Sequence, residues 1–501
     1  MKHADEPQGT RHIRDLWRSY RRNKTGVVGL CLMAFFCILA ITAPLMTTHD
    51  PLKSTNLAGP RAAPMWLTLF SPYQKASRNI SPIADPSFSS RASFGQWKTS
   101  AASSLGTVAY DTDYGNPEEG RPGSLVFKFI KPTDVVHGMI VEQARLSFVS
   151  AYDAPERFTL DFLFRAEKQG EIDARFIAFL ENPARTEYTI WEIPLEDTGG
   201  EWKKPAQRID SWSPQLRIGL TQDVLGSAER TVFSTPGTYS LVLQVAVNDS
   251  NSKKGGNLNV WVDSAEFRTY GSVFGYLGTD QFGADLFSQL IYGARLSLLV
   301  GVLASALSVT LGTLLGMIAG YLGGTIDEIL MRFNDMLIVL PGLPLLLALI
   351  AVLGPSIWNL VILIGLLGFM PVARVIRSQV LSCRERTFIE AARAAGATPY
   401  RVIFKHLMPN VISLAFAQLA LNVPGAIASE ASLSWLGLGD PNVPTWGRML
   451  YLAHYYGVLK EWWWIVFPGI CIALISIAFI FVGHAMDEVF NPRLRNSSRQ
   501  T

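Results

Sequence analysis

Six long apolar runs, separated by charged or polar stretches, decide what this chain can become. A helix needs about 20 mostly apolar residues to cross about 30 Å of hydrocarbon. The runs are Gly26–Met46, Leu296–Tyr321, Met336–Leu353, Trp358–Ala373, Val411–Leu433 and Trp462–Val482, of which the fourth is short. Buried core helices of a soluble protein are the competing explanation, and so many runs argue against it. The first run is expected to be an uncleaved anchor. Its apolar core exceeds the roughly 7–15 residues of a signal peptide, and no small-x-small cleavage site follows. Composition agrees: 17% of the 501 residues are charged and the mean hydropathy is +0.21, against about 25% charged in ordinary soluble domains. A net charge of +3 over this length supplies no phosphate-binding field, so nucleic acid is not an expected partner. Disorder and a small disulfide scaffold are excluded. None of the cysteines falls between residues 51 and 274, and no CxxC or Cys/His cluster suggests a metal.

Orientation follows from Lys and Arg near the span ends. Lys2, Arg11, Arg14, Arg18, Arg21, Arg22 and Lys24 precede the first run; Arg374, Arg377, Arg384, Arg386, Arg393, Arg401 and Lys405 lie between the fourth and fifth; Arg493, Arg495 and Arg499 form the tail. The loop between the fifth and sixth runs offers only Arg448 and Lys460. With six crossings, the N-terminus, the 374–410 loop and the tail share the cytoplasmic side of the cell membrane. Residues 51–274 then lie outside.

That exterior segment has a different texture. β-rich runs recur at Ser124–Ile130, Ala144–Ala151, Arg157–Arg165, Asp173–Glu181, Glu187–Ile193, Thr238–Val247 and Asn257–Arg268, punctuated by turn residues. Phe158, Leu160, Phe162 and Phe164 alternate as one strand face does. A β-sandwich is expected here, with residues 51–100, rich in Pro, Ser and Ala, as a loose connector or irregular packing. Asn79-Ile80-Ser81 and Asn248-Asp249-Ser250 are glycosylation sequons.

Residues 387–410 read TFIEAARAAGATPYRVIFKHLMPN. Thr387 to Ala395 favours a helix, Gly396 ends it, Thr398 caps a second helix with Pro399 in its first turn, and Pro409 marks a turn into the fifth run. An apolar face on such an element outside the bilayer calls for a protein partner. An interfacial helix on lipid headgroups would equally suit Arg393, Arg401 and Lys405.

Glu390-Ala391-Ala392, then Gly396, resembles the EAA loop of ABC importer permeases. Lys405-His406-Leu407-Met408-Pro409-Asn410 is similar to the form in the oligopeptide/dipeptide branch. Leu277-Gly278-Thr279-Asp280-Gln281-Phe282-Gly283-Ala284-Asp285, Arg295-Leu296-Ser297-Leu298, Leu433-Ser434-Trp435-Leu436-Gly437-Leu438-Gly439, Thr445-Trp446-Gly447 and Asn491-Pro492-Arg493-Leu494-Arg495 extend the resemblance, as does Asn23-Lys24-Thr25-Gly26. Ala284, His484 and Asn491 depart from the usual Arg, Asp and Asp, and the insert at about 61–270 departs most, since relatives are short there.

The resemblance is to the second, C-type permease of peptide importers. It implies an α-helical membrane protein with six transmembrane helices of the ABC type I importer permease kind, here carrying an inserted extracytoplasmic β-sandwich-like domain. The expected parts are a cytoplasmic segment 1–24, a helix 25–46, the insert 51–274, a core 277–490 with five helices and the loop 387–410, and a cytoplasmic tail 491–501. The loop residues Glu390, Ala391, Ala392, Gly396, His406 and Pro409 would dock a coupling helix on an ATPase. The implied partners are a second permease in a heterodimer, two ABC ATPase subunits, an extracytoplasmic solute-binding protein and membrane lipid. No GxxxxGK[ST] loop occurs, so the chain is expected to be no enzyme and to hold no cofactor, with ATP and Mg used by the ATPase partners. Gly312, Gly316 and Gly320 predict close helix packing, against a neighbouring span or the partner permease. Pro341, Pro344 and Pro424 predict kinks. Gln418, Asn422 and Glu430 are candidates for the translocation path, since intramembrane polar groups face cavities or other helices. The exterior domain is expected to dock the binding protein or cap the pathway. Peptides are the expected cargo, with nickel, glutathione and oligosaccharides as alternatives. A different class of reading makes the chain a membrane-anchored recognition protein whose β-sandwich binds glycans on Trp191, Trp202, Trp212 and Trp261.

Overall fold

The computed structural model describes residue 17 and residues 20–101, 105–115, 123–131, 138–170, 172–249, 255–458 and 460–490. Lys2, Arg11, Arg14, Arg18, the 491–501 tail with its arginines, and Ser250 of the second sequon lie outside these residues. The chain forms two compact units, one of Met1–Ser54 with Leu286–Thr501 and one of Thr55–Asp285.

The first unit is helical: α1 Lys24–Met46, α2 Leu286–Leu322, α3 Gly324–Val339, α4 Gly342–Leu353, α5 Ile357–Arg384, α6 Thr387–Ala394, α7 Met408–Leu433, α8 Trp446–Tyr455 and α9 Trp462–Phe490. Asn23 caps α1, its Oδ1 accepting the Gly26 N–H at 2.9 Å while its Nδ2 donates to Glu488 on α9 at 2.5 Å. α1 lies directly on α9. A Cβ on Gly29 would stand 2.8 Å from the Ala478 carbonyl oxygen.

The glycine stripe of α2 packs within the chain. Cβ atoms on Gly312, Gly316 and Gly320 would meet Val372, Ile376 and Val380 of α5, and that on Gly316 would stand 2.6 Å from the Ala373 carbonyl oxygen. Backbone cannot step aside as a side chain can. Gly316→Leu is therefore expected to separate α2 from α5 and to cost about 1–3 kcal/mol or more, abolishing a monodisperse peak in size-exclusion chromatography. Gly469→Leu, at a position with open space around it, is expected to leave the peak unchanged. Equal behaviour of the two variants would contradict this packing account.

Five described helices are long and apolar enough to cross a membrane; a sixth crossing requires α3 and α4 together, which meet at 86°. The expected third span, Met336–Leu353, is thus broken. Leu340 precedes Pro341 and is extended (ψ 134°), as the residue before proline prefers. Pro344 falls in the first turn of α4, where proline is tolerated, and kinks nothing. α7 continues through Pro424. The short fourth run belongs to a helix of 28 residues. Its C-terminal half carries Arg374 and Arg377, which end the apolar run without ending the helix. Arg377 makes a two-pronged ion pair with Asp327 of α3 at 2.5 and 2.6 Å, and Arg374 pairs with Asp335.

The second unit holds β1 Lys98–Ala101, β2 Gly106–Asp111, β3 Ser124–Lys131, β4 Gly138–Ser150, β5 Arg157–Gln169, β6 Asp173–Glu181, β7 Glu187–Pro194, β8 Ile209–Asp210, β9 Gly237–Asp249 and β10 Gly256–Tyr270. They form two open antiparallel sheets, ordered β1-β4-β9-β6-β7 and β2-β3-β10-β5-β8. The sheets share one core. Phe127 of one meets Phe176 of the other at 6.2 Å, and Phe267 meets Phe148 at 5.5 Å. The alternating Phe158, Leu160, Phe162 and Phe164 all point into it.

Of the two readings of residues 51–100, a loose connector or irregular packing, the hydrogen bonds favour the second. Asn56, Leu57 and Arg61 donate backbone N–H bonds to Phe282, Gly283 and Asp280 at 2.8–2.9 Å, and the Thr279 hydroxyl donates to the Gly59 carbonyl at 2.6 Å. Gly283 is left-handed (φ 72°), and a Cβ there would strike the Ala58 carbonyl. The two ends of the insert are therefore clamped to each other, which is the geometry that lets a chain accept an inserted domain. Asn79 is part of this clamp, its amide bridging the Leu57 carbonyl and the Gly271 N–H at 2.6 and 2.8 Å.

Glu229 is buried in the same unit. Burial pushes its carboxyl above the usual range, and a Ser211 hydrogen bond offsets this in part. The folded unit then binds this proton more tightly than the unfolded chain does. The stability contribution is full below about pH 4.3, the ordinary glutamate value, and falls as pH rises above it. Removing the buried charge with Glu229→Gln is expected to gain about 1–3 kcal/mol at neutral pH. Thermal unfolding by tryptophan fluorescence checks this: the variant should melt higher at neutral pH and no higher in acid. A lower melt at neutral pH would count against the assignment.

Candidate functional site

α6 forms over Thr387–Ala394 and stops where Gly396 turns left-handed (φ 78°). The Gly396 N–H donates to the Arg393 carbonyl at 2.9 Å and the Ala397 N–H to the Ala392 carbonyl at 3.1 Å. This pair of bonds is the Schellman closure of a helix. Nothing lies within 4 Å of where a Gly396 Cβ would sit, so glycine is required for its backbone conformation and not for space. Thr398 then caps Pro399–Arg401, its Oγ accepting the Arg401 N–H at 3.4 Å.

Pro409 does not mark a turn. Helical backbone runs from Pro399 straight into α7 as one segment. Proline lacks an N–H and crowds the carbonyl four residues back. Here Val402–Leu407 widens into a π turn, in which Met408 N–H reaches the Ile403 carbonyl, and such bulges absorb the misfit. Asn410 Nδ2 donates to the His406 carbonyl at 2.7 Å. The second helix of the loop and the fifth apolar run are consequently one helical segment.

The inner side of this piece is anchored. Ile389, Val402 and Leu407 are fully buried among Met317, Ile376 and Val380, and the Arg393 guanidinium lies 5.0 Å over the Tyr321 ring. Its outer side is open: Glu390, Ala391, Gly396 and Pro409 are exposed, with Ala392 and His406 half-buried. Tyr400 and Phe404 meet as a tilted ring pair with centroids 4.6 Å apart and are also exposed. The spacing of four residues between Tyr400 and Phe404 is the sequence signal that puts both on one helix face.

At the other end of α7, Glu430 is 1% exposed. Its carboxylate accepts the Ser434 hydroxyl at 2.8 Å, and a Cβ on Gly447 would stand 3.2 Å from it. Gln418 and Asn422 are half-buried, and Asn422 Nδ2 donates to the Gln418 carbonyl at 2.8 Å. At 100° per residue Glu430 lies about 80° around the helix from Asn422. The three side chains are not one stripe: the amides stay together, and the carboxylate turns into a seat for α8. Trp446 completes that seat. It is fully buried, donates its indole N–H to the Leu290 carbonyl at 2.9 Å, and meets Phe36 edge-on at 5.8 Å. His454 stacks on Trp435 at 4.8 Å.

The four tryptophans do not assemble into a sugar platform. Trp191 packs edge-on against Phe162, Phe164 and Phe176 at 5.1–5.9 Å. Trp261 is buried on the other sheet, bonded to Asp111 at 3.0 Å. Trp212 lies under the Arg157 guanidinium at 4.8 Å, and Trp202 is half-buried. The glycan-recognition reading is corrected accordingly.

Residues 312–496 match the family model described as the inner membrane component of binding-protein-dependent transport systems, and residues 13–64 match the N-terminal transmembrane domain of oligopeptide transport permease C. The dipeptide transport system permease protein DppC of Alkalihalophilus pseudofirmus is 38% identical over 222 residues, covering 44% of this chain and 73% of that protein. DppC of Bacillus subtilis is 36% identical over 221 residues, covering 44% and 69%. Among solved structures, TmCBM61 in complex with β-1,4-galactotriose aligns over 38% of this chain and 97% of its own, at 14% identity and a TM-score of 0.21. Nothing about shared fold or function follows from so low a score.

Proposed function

We propose, from the premise that this chain belongs to the family of inner-membrane components of binding-protein-dependent transport systems, that it is the C-type permease of a peptide importer. It forms half of the translocation pathway and takes its driving force from separate ATPase subunits. The observation that carries this reading is the unbroken helical segment from Pro399 into α7. Force applied at Tyr400 and Phe404 moves α7 as a rod, because the Schellman-closed bend at Gly396 and the buried Ile389, Val402 and Leu407 fix its inner face.

Six crossings are proposed, the third being the bent pair α3–α4, with the N-terminus, the 387–410 loop and the tail in the cytoplasm and residues 51–274 outside. Glu390, Ala391, Ala392, Gly396, His406 and Pro409 form the coupling loop. Gln418 and Asn422 face the path, whereas Glu430 holds the outer seat of α8. The partners are a second permease, two ATPases and an exterior solute-binding protein. Mild-detergent purification from native membranes tests the assembly: the ATPase and second permease should co-elute, and the reconstituted complex should take up peptides only with ATP and binding protein. A chain that purifies without an ATPase would overturn the proposal.

A further inference from the structure

We infer that Met65, Trp66, Leu69, Phe70 and Tyr276 form a foot by which the exterior unit rests on the outer leaflet of the membrane. The short helix Met65–Leu69 points Leu67 into the unit and leaves Met65, Leu69 and Phe70 outside, Leu69 at 75% exposure. Tyr276, 72% exposed, belongs to the same surface: Met65 N–H donates to the Gly275 carbonyl and the Trp66 indole to the Tyr276 carbonyl, both at 3.0 Å. These bonds hold the apolar groups out rather than letting them fold inward.

A surface of Met, Leu and Phe edged by Trp and Tyr has the composition of the water–membrane boundary, where amphipathic rings settle at headgroup depth. Its charge fits the same occupant. Residues 61–78 carry Arg61, Lys75 and Arg78 and no acidic residue, a pattern that suits lipid phosphates. The tether fits too. Tyr276 is ten residues ahead of α2, and at about 3.3–3.6 Å per residue it cannot stray more than about 35 Å from that helix. A foot here would hold the inserted unit over the membrane whatever it docks.

The inference rests on the membrane reading, and one experiment separates the two. The wild-type complex in nanodiscs is photolysed with a diazirine-bearing phospholipid, and tryptic peptides are quantified by mass spectrometry. Peptide 62–75 should carry label several-fold above peptide 146–157, which contains the exposed Val149 of β4, and peptide 25–53 of α1 should also be labelled. Labelling of 25–53 with 62–75 no higher than 146–157 would overturn the foot alone. Absence of label from 25–53 would overturn the membrane placement itself. Label on 62–75 that disappears only when binding protein is added would assign the surface to that protein and overturn the lipid assignment.

Discussion

Gly396→Val is expected to stop peptide uptake while ATP hydrolysis continues. Gly396 sits at φ 78°, and a side chain in the left-handed region costs about 1–2 kcal/mol, more when β-branched. The space around it is open, so the variant is not rejected by a clash. It relieves strain instead by giving up the bonds from Gly396 to Arg393 and from Ala397 to Ala392, which loosens α6 from the rod behind it. Each 1.4 kcal/mol is about tenfold in a population, and uptake per ATP hydrolysed should fall by about that factor. Gly396→Asn, which visits the left-handed region more readily, should retain more coupling than Gly396→Val. Proteoliposomes measuring uptake and phosphate release together decide it. Equal coupling ratios for wild type and Gly396→Val would remove the bend from the mechanism.

Trp446→Ala is expected to destroy the helical unit rather than tune it. Trp446 touches α2 through Leu290, Gly293 and Ser297 and α1 through Phe36, with the adjoining Gly447 against α7. Truncating a buried aromatic costs about 3–5 kcal/mol, a large share of the roughly 5–15 kcal/mol that holds a typical protein folded. Trp446→Phe keeps the ring contact with Phe36 and loses only the indole donor, so it should fall between. Thermal unfolding in detergent, followed by size-exclusion peak loss, gives the order wild type, Trp446→Phe, Trp446→Ala. An unchanged Trp446→Ala melt would contradict the role assigned to this side chain.

The membrane helices were legible because length and apolarity are what hydrocarbon demands, and the bend because only glycine takes φ 78° cheaply. What escaped the sequence was decided by partners distant in the chain. The short fourth run hid a long helix since Arg374 and Arg377 find Asp335 and Asp327 across on α3. Pro409 looked like a stop, yet a widened turn accommodates it. The enclosure of Glu430 by Ser434 and Gly447 depends on residues beyond its own helix pattern. In the β unit the seven long strands announced themselves by alternation. β1, β2 and β8 are short edge or near-edge strands whose pairing, not their pattern, makes them strands.

The central claim is that the exposed Tyr400–Phe404 pair receives force from an ATPase. Replacing Tyr400 with the photo-crosslinking residue p-benzoylphenylalanine, in the assembled complex in native membranes, tests it directly. The account predicts an adduct with the ATPase subunit whose yield changes between nucleotide-free and ATP-bound states. Adducts to lipid alone would place this helix on the headgroups and contradict the claim.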